Sequence, residues 1–242
     1  MKIIKRIALV IVALLVVGAI LMALWYRIDG QPLPETAQYL AGEGFTAVEE
    51  NDGSFVFTPD AANGHGLVIM HGALIKPQSY AQTAAYFAQL GYTVFVPNGP
   101  GRLPINAVDS AAARLASFDV DDWFFIGHSM GGYSSLEFLS RHQPNVRALA
   151  LWAAGVPADF SSLDVPMLYI WGDNDGLRPP GDFAEGQSNL PESVRYITLE
   201  GANHKNFAMY SHQFFDNDAI LDPQQQIDFA NDTTAVFFAR HF

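Results

Sequence analysis

Six short apolar runs recur along the chain, and helical patterns separate them. The runs are GLVIMHG, YTVFVP, DWFFIGH, VRALALWA, MLYIWG and VRYITLEG. They are rich in β-branched and aromatic residues, and their apolarity is continuous, which indicates strands buried on both faces of a parallel sheet. Helical patterns lie at about 78–90, 105–117, 131–142, 180–190 and 223–240. The alternation predicts a three-layer α/β fold, with a mostly parallel sheet and helices on both faces.

Two alternating runs, FTAVEE and SFVFTP, precede this series and are joined by NDG, which is typical of a β-hairpin. We therefore expect one domain over residues 44–242, with residues 28–43 as a connection. Ligands of open α/β sheets bind beyond the carboxyl ends of the strands. The residues that follow each apolar run are the first place to look for a site.

The first 27 residues differ from the rest of the chain. Three basic residues occur in MKIIKR, and residues 7–26 then carry no charge. Twenty apolar residues at about 1.5 Å each span roughly 30 Å, the hydrocarbon thickness of a bilayer. We expect residues 1–27 to form an uncleaved transmembrane anchor, with a cleaved signal peptide as the alternative. The basic residues before the span predict a single pass, with a cytoplasmic N-terminus and an extracytoplasmic domain.

Charge excludes one class of partner. The chain has 25 acidic and 13 basic residues and a net charge of −12, and every acidic residue lies beyond the apolar span. Such a surface repels phosphate backbones, so we expect no nucleic acid as a partner. The chain has no cysteine, which removes thiol nucleophiles and thiolate metal sites.

The motif GHSMGG follows the run DWFFI, and a helical pattern comes next. A serine in a G-x-S-x-G turn between a strand and a helix has a strained backbone and an outward hydroxyl. Gly127 and Gly131 come close together in such a turn, so both must be small. The context predicts that Ser129 is a nucleophile, whereas His128, whose side chain must diverge from that of Ser129, is expected to be a scaffold residue.

A serine needs a base before it can attack at neutral pH. His204 follows the strand VRYITLEG at the correct end of the sheet, and His212 is the alternative. The base needs a carboxylate that orients it. Asp173 and Asp175 both follow the strand MLYIWG, and both are also typical turn residues.

A tetrahedral intermediate of acyl transfer needs N–H donors for its oxyanion. The N–H of Met130 is one candidate, because it follows the nucleophile. The other is predicted in the loop HGALIKP, as the N–H of Ala73 or Leu74, since Gly72 allows a tight turn. We interpret His71 as the source of a loop-shaping hydrogen bond rather than as a metal ligand. No metal and no cofactor is predicted.

From about Gly66 onward the chain resembles α/β-hydrolases. It carries HGA, GHSMGG, WGDNDGL and GANHKNF in the order of that family. In these proteins the acid commonly stands third after the glycine of G-x-x-D, which from Gly172 is Asp175. The tail from GANHKNF to DPQQQIDF is similar to the fold-5 subgroup. The resemblance implies a hydrolase and does not identify a substrate.

The leading hypothesis is a membrane-tethered serine hydrolase that cleaves small-molecule carboxylic esters or thioesters through an acyl-enzyme. Residues 154–165 are too few for a cap domain. Residues 206–221 are rich in Phe, Tyr and Met, and they either wall an apolar pocket or pack on the core. An acyltransferase with the same triad and a non-catalytic binding module are the alternatives. The sequence indicates no protein partner.

Overall fold

The structure of the protein is a computed structural model, which describes residues 2–142 and 145–242. An eight-stranded sheet has the strand order β1-β2-β4-β3-β5-β6-β7-β8. The strands β1 to β8 are Phe45–Glu49, Phe55–Pro59, His65–Met70, Thr93–Val96, Asp122–His128, Val146–Trp152, Met167–Gly172 and Arg195–Leu199. Strands β3 to β8 are parallel, whereas β1 and β2 form an antiparallel hairpin and β2 pairs antiparallel with β4. The predicted mostly parallel sheet is confirmed.

Helices cover both faces of the sheet. The helices α1 to α6 are Lys2–Ile28, Ala81–Gln89, Val108–Leu115, Met130–His142, Pro180–Gln187 and Pro223–Phe238. Two of the predicted helices are shorter, because the 3₁₀ segments Pro77–Tyr80 and Pro104–Ala107 replace their first turns. Both segments begin at a proline, which fixes φ but has no N–H for the backbone hydrogen-bond pattern.

The core lies in two layers, one on each side of the sheet. In β3, Leu67 and Ile69 pack with α2 and α6 on one face, while Val68 and Met70 pack with α3 and α4 on the other. All four side chains are fully buried. Burial on both faces explains why the strands are continuously apolar rather than alternating.

Helix α6 begins as its sequence predicts. The side chain of Asp222 accepts the N–H groups of Gln224 and Gln225 at 2.9 and 3.2 Å, and Pro223 occupies the first turn. An aspartate at this position satisfies N–H groups that have no partner within the helix. The sequence QQQ therefore lies in the first turn of α6.

Helix α1 contains a segment, residues 5–28, that is long and apolar enough to cross a membrane, and its most apolar 18-residue stretch is not buried by the rest of the protein. The chain that follows it is packed and not free. The N–H of Gly30 donates to the carbonyl of His212 at 3.3 Å, and that of Leu33 donates to Met209 at 3.0 Å. The carbonyl of Gly30 accepts the N–H of Lys76 at 3.0 Å. The start of the predicted connection, 28–43, is thus docked on the domain.

No helix and no strand lies between β6 and β7, where residues 153–166 form turns and irregular structure. The sheet therefore has no cap domain at this point, as the short spacing predicts.

Candidate active site

Ser129 lies in the turn from β5 into α4. Its φ is +54°, in the left-handed region that residues other than glycine rarely adopt. Its N–H donates to the carbonyl of Trp152 in the neighbouring strand β6 at 2.9 Å. Ser129 is partly exposed, although the strand before it is buried. This is the strained strand–turn–helix conformation predicted from the sequence.

Glycines make the turn possible because backbone atoms approach them closely. A Cβ at Gly127 would lie 2.6 Å from the carbonyl oxygen of Gly131. A Cβ at Gly131 would lie 2.0 Å from the carbonyl oxygen of Met70, at the end of β3. The loop after β3 is therefore in direct contact with the first turn of α4, beside Ser129.

Asp175 and His204 form a buried pair. Oδ2 of Asp175 lies 2.8 Å from Nδ1 of His204, and their side chains are 0% and 1% exposed. The other carboxylate oxygen, Oδ1, accepts the N–H groups of Leu177 and Arg178 at 2.8 and 2.7 Å. Both oxygens are used, so the carboxylate is fixed in the orientation that holds the imidazole.

The remaining ring nitrogen of His204, Nε2, is buried and has no hydrogen-bond partner among the residues that the structure describes. His204 lies against the residue before the serine, because its carbonyl accepts Nε2–H of His128 at 3.0 Å. Within residues 2–142 and 145–242, no hydrogen bond joins Ser129 Oγ to His204 Nε2. Catalytic hydrogen bonds are often long in unliganded enzymes and tighten when substrate binds.

The alternative candidates lie elsewhere. Asp173 accepts the N–H of Gly201 at 2.7 Å through Oδ1 and so anchors a turn. His212 pairs with Asp29 at the end of α1, with Nδ1 and Oδ1 3.3 Å apart. Of the two candidate acids, Asp175 is the one that reaches His204.

His128 belongs to a buried hydrogen-bond chain. Its Nε2–H donates to His204, so its Nδ1 accepts the hydroxyl of Tyr80 at 2.6 Å. The Tyr80 oxygen in turn accepts the N–H of Gly72 at 2.8 Å. Burial lowers the pKa of His128 well below its ordinary value, and the nearby His204 lowers it further. His128 is therefore neutral, and as expected it is a scaffold residue.

His71 shapes the loop after β3. Its Nδ1–H donates to the carbonyl of Gly72 at 2.7 Å, and Nε2 accepts the N–H of Gly99 at 3.3 Å. Burial lowers its pKa to about 4, which keeps the ring neutral. Both nitrogens are occupied, as a loop-shaping role requires. Among the described residues, no group of three or more His, Asp or Glu is arranged to hold a metal.

The two candidate donors in this loop differ in availability. The N–H of Leu74 donates to the carbonyl of Arg102 at 2.6 Å, so it is occupied. In the part of the chain that the structure describes, no carbonyl accepts the N–H of Ala73. Met130 is the first residue of α4, where an N–H has no partner within the helix. The geometry thus leaves Ala73 and Met130 as the available donors.

Asp216 is a residue of the site that the sequence analysis missed. Its Oδ1 accepts the N–H groups of Gly176 and His204 at 3.0 and 3.2 Å, and Oδ2 accepts that of Lys205 at 2.7 Å. This carboxylate joins the loop of Asp175 to the loop of His204. The sequence FFDND offers no signal that separates it from an ordinary turn aspartate.

The segment 206–221 packs mainly on the core at its start. Phe207 and Tyr210 are fully buried with the residues under α2 and α6. Phe215, with a φ of +69°, is 89% exposed. The first part of the segment therefore follows the core-packing interpretation rather than that of a pocket wall.

Known proteins share this fold and parts of this sequence. The Abhydrolase 5 model, described as the alpha/beta hydrolase family, matches residues 66–228. A bis(hydroxyethyl) terephthalate hydrolase from Streptomyces coelicolor is 28% identical over an alignment of 163 residues, which covers 61% of this chain and 52% of that protein. Cutinase 1 from Thermobifida cellulosilytica is 35% identical over 82 residues, 33% of this chain and 31% of the cutinase. The chain thus spans about a third to a half of the length of these relatives.

Two solved structures match the fold over most of the chain. A "predicted CIB-like hydrolase" from Thermoplasma acidophilum has a TM-score of 0.57 at 19% identity, covering 79% of this chain and 99% of that one. The hydrolase MGS-MChE2, from a lagoon-sediment metagenome, has a TM-score of 0.56 at 18% identity, covering 81% and 99%.

The sheet order, the Ser129 turn and the buried Asp175–His204 pair together define a three-layer α/β-hydrolase architecture. The chain belongs to the alpha/beta hydrolase family.

Proposed function

We propose that the protein is a serine hydrolase that cleaves carboxylic esters or thioesters through an acyl-enzyme. Ser129 is the nucleophile, His204 the general base and Asp175 the residue that orients the base. The observation that carries this proposal is the buried 2.8 Å hydrogen bond between Asp175 and His204, beside a serine held at a φ of +54°.

The chemistry follows the roles of these groups. Ser129 Oγ attacks the acyl carbon and its proton passes to Nε2 of His204, while Asp175 holds the Nδ1–H. The N–H groups of Ala73 and Met130 stabilise the oxyanion. The intermediate collapses, and the leaving alcohol or thiol takes the proton from His204. Water then repeats the sequence on the acyl-enzyme and releases the acid and free Ser129.

The substrate class rests on two observations. The partial relatives are named as a cutinase and a bis(hydroxyethyl) terephthalate hydrolase. The connection from β6 to β7 contains no helix or strand, so it forms no cap over the site. We propose small or flexible acyl groups as substrates.

Labelling with a fluorophosphonate probe tests the nucleophile. The full-length wild-type protein should label and hydrolyse p-nitrophenyl esters, and a series of rising chain length defines the acyl preference. Ser129→Ala should lose labelling and lower kcat by about 10⁴- to 10⁶-fold. Ser140→Ala is the matched control, because its hydroxyl contacts only the carbonyl of Glu137 farther along α4. Wild-type labelling that persists in Ser129→Ala contradicts the proposal.

We also propose that α1 is an uncleaved anchor with a cytoplasmic N-terminus, which places the catalytic domain outside the cytoplasm. The uncharged residues 7–26, which are enough to span a bilayer, support this, as do the basic residues before them. The protein should stay with membranes in alkaline extraction and keep residues 1–27. Mature protein that begins near residue 26 indicates a cleaved signal instead. Protection from protease added outside the cytoplasm contradicts the orientation.

A further inference from the structure

Ala73, the candidate oxyanion donor, lies between two residues whose backbones are held from elsewhere. Before it, the N–H of Gly72 donates to the hydroxyl of Tyr80 at 2.8 Å. After it, Leu74 is bound twice by one residue. Its N–H donates to the carbonyl of Arg102 at 2.6 Å, and its carbonyl accepts Nη1 of Arg102 at 3.1 Å. The backbone of Arg102 therefore fixes the Ala73–Leu74 peptide, and its side chain fixes the peptide after it.

The same side chain binds the end of α1. Nη1 of Arg102 donates to the carbonyl of Asp29 at 3.2 Å, and Nη2 donates to the carbonyl of Tyr26. The guanidinium carbon also lies 3.4 Å from the centroid of the Tyr26 ring. The last carbonyls of a helix lack partners within it and carry partial negative charge, which suits a cation.

Burying a charged side chain without an opposite charge beside it costs free energy, and Arg102 is buried in this way at the junction of α1 and the loop. It is only 7% exposed, and no carboxylate pairs with it among the described residues. Its φ of +56° and the φ of +63° at Leu74 are both in the left-handed region. Its charge is balanced by carbonyls from two separate segments, the end of α1 and the loop of Leu74. The arrangement joins these two segments.

Gly30 makes a second contact between the end of α1 and the loop of Leu74. Its φ is +63°, and a Cβ there would lie 2.2 Å from the carbonyl oxygen of Leu74. Its own carbonyl accepts the N–H of Lys76 at 3.0 Å. The chain that leaves α1 therefore packs on the same loop without the help of Arg102.

We propose that Arg102 is a positioning residue that locks the oxyanion loop, residues 72–76, to the carboxyl end of α1. The chain leaving the anchor is then part of the active-site scaffold and not a free tether. The inference rests on the proposed function, because it gives Ala73 the role of oxyanion donor. A misplacement of about 1 Å at such a donor can cost on the order of 10²-fold in rate, and removal of a donor costs about 10²- to 10³-fold.

The test uses the full-length protein in detergent micelles, with kcat expressed per serine titrated by the fluorophosphonate. Arg102→Ala should lower kcat about 10- to 100-fold and leave KM within about threefold. Gly30→Ala should also lower kcat, because its new methyl group would displace Leu74 from the side of the chain that leaves α1. Arg102→Lys should recover part of kcat, since it keeps the charge but not the planar fork.

Arg114→Ala is the matched control. Its guanidinium also lies over an aromatic ring, 4.4 Å from the centroid of Phe118, and it pairs with Glu50. We expect its kcat to stay within about twofold of the wild type. If Arg102→Ala keeps the wild-type kcat per titrated serine while its melting temperature falls, Arg102 is merely structural and the inference is overturned.

Amide hydrogen exchange separates this inference from the proposed function. Arg102→Ala keeps the backbone carbonyl that accepts the N–H of Leu74, so this amide reports opening of the loop and not loss of its acceptor. It should exchange at least about tenfold faster in Arg102→Ala than in the wild type and in Arg114→Ala. Unchanged exchange overturns the locking role whether or not the protein is active. Accelerated exchange in a protein that hydrolyses no ester supports the lock and contradicts only the proposed function.

Discussion

Asp175 and His204 are 29 positions apart in the chain and meet through a 2.8 Å hydrogen bond between Oδ2 and Nδ1. Asp173, two residues away, instead binds the N–H of Gly201. The two aspartates follow the same strand, but only one of them reaches the imidazole. This difference makes the acid assignment testable.

Asp175→Asn should lower kcat by about 10⁴-fold, because the amide oxygen must accept the N–H groups of Leu177 and Arg178. The NH2 group then faces Nδ1 of His204 and favours the wrong tautomer. Asp173→Asn should change kcat by less than about tenfold, since its side chain only anchors a turn. Ester hydrolysis per folded protein, with folding checked by circular dichroism, compares the two. If Asp173→Asn is inactive and Asp175→Asn is active, Asp173 and not Asp175 is the acid that orients His204.

Tyr80→Phe should lower the free energy of unfolding by about 1 to 3 kcal/mol, because the N–H of Gly72 and Nδ1 of His128 both lose a buried partner. Tyr86→Phe is the control, since its hydroxyl bonds Asp232 in an exposed position. That control should cost less than about 1 kcal/mol. Denaturant unfolding measures both, and equal losses contradict the buried chain.

Gly131→Ala should destabilise the protein by about 3 kcal/mol or more, because its Cβ would lie 2.0 Å from the carbonyl oxygen of Met70. For a chain of this size this lowers the melting temperature by roughly 6 to 12 °C. Gly181→Ala in α5 meets nothing within 4 Å and should stay within about 1 kcal/mol of the wild type. Thermal unfolding decides between them.

The stability of the protein should fall as the pH drops from about 6.5 toward 4. Burial lowers the pKa of His71 to about 4, whereas in the unfolded chain it is near 6.5. The unfolded chain therefore binds more protons in this window, and the lost stability amounts to roughly 3 kcal/mol. His128, whose pKa is lowered by burial, acts in the same direction.

Unfolding by urea at several pH values measures this slope. His71→Asn should flatten it between pH 6.5 and 4, even if the variant is less stable at neutral pH. The same slope in the wild type and the variant contradicts the assignment of this proton uptake to His71.

Local sequence was enough for much of the sheet. The continuous apolarity of runs such as GLVIMHG and DWFFIGH predicts strands buried on both faces, and β3 and β5 have that environment. The turn at Ser129 could also be predicted, because the small residues around Ser129 and the change from strand to helix are features of a few neighbouring positions. Helix ends were less accurate, since a proline that starts a 3₁₀ turn and one that starts an α-helix look alike in sequence.

Contacts between segments that are distant in the chain could not be predicted from the sequence. Nothing near Asp216 indicates that its carboxylate joins two loops. Nothing near Arg102 indicates that it binds both Leu74 and the end of α1, 28 and 76 residues before it. The side chains of such residues form hydrogen bonds with backbone groups of other segments. These bonds leave no pattern in the sequence near either partner.

The sequence by itself determined the α/β class, the apolar N-terminal segment and the residue types of the candidate site, because periodicity, length and turn chemistry are local properties. Only the tertiary structure decided which aspartate meets His204, which N–H in the loop after β3 stays available, and that the chain leaving α1 is docked. These depend on distances between segments remote in sequence. Side-chain hydrogen bonds to backbone groups fix such distances, and many different residues can make them.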